Sequence, residues 1–141
     1  PVSGRFTGEQ RAVYEIVDAA RAAAVAATRP GTTVAAVHRA AVAVITAGLV
    51  ALGVLAGERD ALMGEEKHKP FYPHQTSHWL GLDVHDVGDY ERAGESRVLE
   101  PGMVVAFEPG TYPGPWGLRV ERVCLVTADG CEVLSTHEVA L

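Results

Sequence analysis

The chain changes character at Pro70. Before it, alanine-rich stretches repeat apolar side chains at helical spacing. After it, glycines from Gly81 to Gly117 punctuate short runs rich in valine and leucine, which is strand-and-turn composition. The order predicts helices first and an antiparallel sheet second. That is an α+β fold with two helices packed on one face of the sheet.

Local signals place the elements. Thr7-Gly8-Glu9-Gln10 fits a capping box, a threonine N-cap with glutamine three residues on. Val13, Ile16, Val17, Ala20, Ala24 and Ala27 then mark one helix face that stops before Pro30-Gly31. A second helix starts near Thr32 or Thr33 and runs through Val37, Ala41, Val44, Ile45 and Leu52, and its alanines imply close packing. Residues 57–70 read as a charged connection with a short helix. Further on, Glu100-Pro101-Gly102-Met103 suits a turn with proline second and glycine third. Met103–Phe107 reads as a short buried strand and Leu118–Thr127 as a longer one. Ala128-Asp129-Gly130-Cys131 reads as an Asp-Gly hairpin turn that returns the chain along Cys131–Ser135.

Composition narrows the function. A chain of 141 residues has room for one sizeable core. Its net charge of −6, with no block of lysine and arginine, argues against nucleic-acid binding. Ala40–Gly57 is apolar enough to suggest a membrane span, but its alanines, glycines and flanking helix signals fit a buried helix better. No basic-then-apolar leader precedes it, and no membrane partner is expected. Cys124 and Cys131 are too few and too close for a disulfide framework, and free buried thiols in a reducing, cytoplasmic setting are expected.

His74, His78 and His85 fall within twelve residues, and Glu108 and Glu121 follow in apolar surroundings where a charge needs a partner or a cation. Imidazole and carboxylate together are the ligand set of a metal-activated hydrolase. The spacing of His74 and His78 would suit a helix, but Pro73 before them and Gly81 and Asp83 after Trp79 favour an extended or irregular segment lining a cleft. Alternation along Leu118–Thr127 puts Arg119, Glu121, Val123 and Leu125 on one face. Pro109 biases Glu108 toward an extended backbone, which fixes the direction of its carboxylate.

Four ordered motifs carry a resemblance. His74-Gln-Thr-Ser-His78-Trp-Leu-Gly-Leu-Asp-Val-His85-Asp-Val-Gly, Leu99-Glu-Pro-Gly-Met-Val, Phe107-Glu108-Pro-Gly-Thr-Tyr112 and Gly117-Leu-Arg119-Val-Glu121 resemble the Xaa-Pro aminopeptidase and prolidase branch of the pita-bread metallopeptidases. The resemblance implies that residues 1–141 are the C-terminal portion of a catalytic domain acting on proline-containing peptides. It implies two divalent metals, usually Mn2+, with Zn2+ or Co2+ as alternatives. By it, His78 and Glu108 ligate one metal, Glu121 bridges both, and Glu108 exchanges protons with the nucleophile. His74 and His85 flank the substrate, and Arg119 orients carboxylates.

The family also carries two metal-binding aspartates on strands before the first helix, upstream of Pro1. Its usual glycine is Gln75 here, and its usual second acidic residue is Arg122. With three of five ligands, at most one weak metal site is expected in this chain alone. A start at Pro1 rather than Met favours a fragment, a processed product or part of a longer protein. The alternative is a truncated, catalytically incompetent homologue, a binding or assembly module. It would associate with itself or with partners through an exposed sheet edge.

Overall fold

The computed structural model describes residues 3–136. Pro1 and Val2 lie outside them. Helix α1 spans Gly8–Ala27, and both halves of its capping box are formed: the Thr7 hydroxyl accepts from the Gln10 N–H and the Gln10 side chain accepts from the Thr7 N–H. Such a cap contributes about 1 kcal/mol. Helix α2, Val34–Ala51, is capped by Thr33, and the charged connection holds the short helix α3, Arg59–Gly64.

Helix α2 is long and apolar enough to cross a membrane by length and composition. The fold uses it as core: Ala41, Ile45 and Leu49 are fully buried, together with Ala20 and Ala24 of α1. The alanines allow the close approach expected of them. At Gly48 the two helices come so near that an added Cβ would lie 2.4 Å from Cγ2 of Ile16.

The main sheet has four antiparallel strands in the order β1-β4-β7-β8: Ser77–Trp79, Val104–Phe107, Arg122–Val126 and Cys131–Val133. Val105 pairs with Cys124, and with Phe107 and Val126 they turn to the helices. The opposite face carries Ala106, its partners His78 and Val123, and Leu125. Two small ribbons complete the fold, β2 (Glu91–Arg92) with β3 (Glu95–Ser96) and β5 (Gly110–Thr111) with β6 (Leu118–Arg119). The turn at Glu100–Met103 has Gly102 at φ 91°, as its sequence requires.

Two expectations need correction. The Leu118–Thr127 strand is broken at Val120 and Glu121 into β6 and β7. The cause lies on the facing strand, where Pro109 has no N–H to continue the ladder, so only Val120 N–H to Pro109 O survives (3.2 Å). Register is kept through the break: Phe107 faces Arg122 and Gly110 faces Arg119, which leaves Glu108 opposite Glu121. The turn after β7 is also centred one residue earlier than an Asp-Gly turn, on Ala128-Asp129, with the Thr127 N–H donating to the Gly130 carbonyl (3.0 Å). Val126 pairs with Cys131, and the Thr127 hydroxyl accepts from the Gly130 N–H and donates to Asp129.

Candidate metal centre

The site grows from the end of β4. The chain leaves the strand at Phe107, and Glu108 donates its N–H to the Thr76 carbonyl (2.7 Å), extending the β1–β4 register by one residue. His78, the middle residue of β1, is thereby held on the face away from the helices. Its Nδ1–H donates to the Trp79 carbonyl (3.0 Å), so the lone pair is on Nε2.

His85 arrives by a fold-back of residues 80–90. Asp86 donates its N–H to the Trp79 carbonyl (3.1 Å). Tyr90 stacks on the Trp79 ring at 5.4 Å and its hydroxyl accepts from the Trp79 N–H. Gly88 makes room for that ring. The His85 and His78 rings meet edge to face, 4.3 Å between centroids. One donor atom each from His78, His85 and Glu108 lie within 4.8 Å of one another, with His78 buried, Glu108 half-buried and His85 exposed.

The sequence-based ligand set was His78, Glu108 and Glu121. The structure brings the first two together and adds His85, the expected substrate contact; Glu121 is exposed and outside this cluster. Its place opposite Glu108 in the register nevertheless puts two acidic residues on facing positions, where like charges oppose folding by a few tenths to about 1 kcal/mol, less whatever Arg119 offsets at Glu108.

Arg119 is where the alternation put it. Its Nη1 donates to Oε2 of Glu108 (2.6 Å), while Nε and Nη2 donate to the Tyr112 hydroxyl (3.2 and 3.1 Å). Those bonds raise the pKa of Arg119 above its ordinary value, the Tyr112 contact first. His74 joins from the other side: Nδ1–H donates to the Gln75 carbonyl (2.8 Å), and Nε2 accepts from the Tyr112 hydroxyl (3.0 Å). Tyr112 is the functional residue that residue types alone did not single out. Its ring lies against Gly117, where an added Cβ would fall 1.8 Å from Cδ1. The available signal was an aromatic hydroxyl four residues after Glu108 with glycines on both sides.

The model for metallopeptidase family M24 matches residues 2–128. Xaa-Pro aminopeptidase of Escherichia coli is 42% identical over 149 residues, covering 99% of this chain and 34% of the relative. Human Xaa-Pro dipeptidase is 40% identical, covering 96% of this chain and 35% of its own length. Among solved structures, an aminopeptidase of Pseudomonas aeruginosa superposes with TM-score 0.89 at 49% identity, over 93% of this chain and 32% of that one. Zinc-substituted Escherichia coli aminopeptidase P in complex with product gives 0.88 at 42% identity, over 95% and 32%. The chain thus spans about a third of the length of the relatives it matches, and its helices and sheet are part of the pita-bread fold. It belongs to metallopeptidase family M24, among the Xaa-Pro aminopeptidases and prolidases.

Proposed function

We propose that the protein carrying this chain is a metal-dependent peptidase that cleaves the bond before proline. The observation that carries this reading is the convergence of His78, His85 and Glu108 beside Arg119. The donors of His78 and Glu108 fit a divalent ion, with His85 beside them. Nitrogen and oxygen ligands sit about 2.0–2.2 Å from such an ion, so two of them stand at most about 4.4 Å apart. That is close to the spacing already present. The free Nε2 lone pair of His78 suits the same role.

In the complete site we assign two ions, Mn2+ before Zn2+ or Co2+, to His78, Glu108, Glu121 and upstream aspartates. Glu108 and Glu121 offset only half of the charge of two divalent ions, so this chain alone supports one weak site. Bound metal supplies an acidified water and polarises the scissile carbonyl. The chain's own residues do the rest. Arg119 fixes one oxygen of Glu108, which orients the carboxylate to exchange a proton with the attacking water. Glu121 stands across from it to share the metal charge. His74 and His85 flank the peptide. The Tyr112 hydroxyl donates to His74 Nε2, so an arriving carbonyl would compete with that nitrogen for the Tyr112 proton.

The free thiols Cys124 and Cys131 accord with the proposed cytoplasmic setting. Association through a sheet edge would use β1 or β8, the outer strands. The comparisons give the assembly-module alternative no support of its own.

The test is hydrolysis of Gly-Pro and of a longer Xaa-Pro peptide with added Mn2+, by this chain and by the chain extended upstream. Turnover is expected only from the extended protein, and Glu108→Gln should abolish it without unfolding. Comparable turnover by both would make the upstream aspartates dispensable. Inactivity of both would leave the assembly module standing.

A further inference from the structure

Behind the metal centre lies a hydrogen-bond chain that the peptidase chemistry does not call for. Tyr72 and Thr76 are buried, 2% and 0% exposed, and His38 is half-buried on α2. The Thr76 N–H donates to Nδ1 of His38 (3.2 Å). That nitrogen therefore carries a lone pair, and the neutral ring has its proton on Nε2. The Thr76 hydroxyl, 2.7 Å from the same Nδ1, must also donate to it. Its oxygen is then free to accept from the Tyr72 hydroxyl at 2.6 Å. The order of donors is fixed: Tyr72 to Thr76 to His38.

Thr76 is held at every polar atom. Its carbonyl accepts the Glu108 N–H, its N–H and hydroxyl reach His38, and its oxygen takes the Tyr72 proton. It lies two residues after His74 and two before His78. Tyr72 also sets its ring edge-on to His74, 5.0 Å between centroids at 89°. An apolar core would pack here without desolvating two hydroxyls and an imidazole. A fully satisfied buried network gives one geometry rather than several.

We propose that His38, Thr76 and Tyr72 are positioning residues that lock the His74–His78 segment against Glu108, holding His74 toward the substrate. The proposal rests on the peptidase reading of His74. The network acts through hydrogen bonds from α2 and from the Tyr72 loop, and none of its members ligates metal. Burial pushes His38 down to about 4, with the charges of His68, His74 and Lys69 adding to it. The ring therefore stays neutral, as the donor order requires.

The test compares wild type with Tyr72→Phe, Thr76→Val, His38→Leu and His38→Asn in the upstream-extended protein, loaded with diamagnetic Zn2+ for NMR and with Mn2+ for affinity and kinetics. Asparagine places an amide oxygen near the Nδ1 position and leucine does not. Tyr72→Phe and Thr76→Val should broaden or split the imidazole NMR signals of His74 while changing Mn2+ affinity less than threefold. For Gly-Pro, KM should rise about tenfold with kcat changed less. His38→Asn should recover most of the loss shown by His38→Leu. One sharp set of His74 signals in both hydroxyl variants, or equal effects of asparagine and leucine, would reduce the network to ordinary core packing. Tyr72→Phe keeps the ring, so it decides the matter even where Thr76→Val does not fold. A wild-type protein without peptidase activity would overturn the peptidase reading, and the His74 signals would still report on the network.

Discussion

Glu108 and Glu121 face each other across one antiparallel register although neither belongs to a regular strand. Without a cation between them the pair opposes folding, and with one it becomes a ligand pair. Glu121→Gln should therefore move two properties in opposite directions. Thermal stability of the metal-free protein should hold or rise slightly, and Mn2+ affinity should fall about tenfold, near 1.4 kcal/mol. Calorimetry on the two proteins measures both. Unchanged affinity would remove Glu121 from the ligand set and leave the cluster with His85.

Arg119 joins Glu108 to Tyr112 with separate nitrogens, which a single ammonium cannot do. Arg119→Lys is expected to lower kcat/KM about tenfold, and Arg119→Met up to about a hundredfold, as for other groups that orient metal ligands. Because the Arg119 side chain is 44% exposed, unfolding should change by less than about 1 kcal/mol. Denaturant titration beside steady-state kinetics separates the two effects. Loss of stability in step with loss of activity would make the ion pair a folding element.

His38 links stability to pH. Folded, it resists protonation until about 4; unfolded, it takes a proton near its ordinary 6.5. Its neutral form thus contributes full stability above pH 6.5, and that contribution drains away as pH falls toward 4. After allowing for its partial exposure, the loss is on the order of 2 kcal/mol. Urea unfolding at pH 7.5 and 4.5 should show a smaller decline for His38→Asn than for wild type. Parallel declines would mean that His38 ionises freely in the folded protein.

At Gly48 two effects compete. Alanine gains about 1 kcal/mol of helix propensity over glycine. Its Cβ, however, would drive into Ile16 at 2.4 Å, and overpacking costs about 1–3 kcal/mol. Gly48→Ala should destabilise by about 1 kcal/mol. Adding Ile16→Ala should give less than the sum of the two single losses, measured as a double-mutant cycle.

What could be read in the sequence was local. Thr7 and Gln10 announce their capping box because both partners lie within one turn. Alternation separated Cys124 and Val126 from Val123 and Leu125, because strand geometry fixes that whatever the partner, and the fold then turned the first pair to the helices. The strand break was hidden because its cause, Pro109, sits on the other strand. His85 needed the fold-back onto Trp79 to reach His78. His38 sits four residues from Val34 and from Val42, and nothing local distinguishes a histidine there from an ordinary half-buried one. Its meaning lies in Tyr72 and Thr76, more than thirty residues away.

The bare backbone at Gly117 restricts the order in which this site can change. The ring of Tyr112 lies where any side chain at 117 would have to go. A methyl group there would lift the phenol off both Arg119 and His74, breaking contacts that neither of those residues has itself lost. Once Tyr112 is replaced by a small residue, the same methyl group has space. Gly117 and Tyr112 therefore behave as one heritable unit: through this pair, a lineage can drift only by losing the ring first and the glycine afterwards.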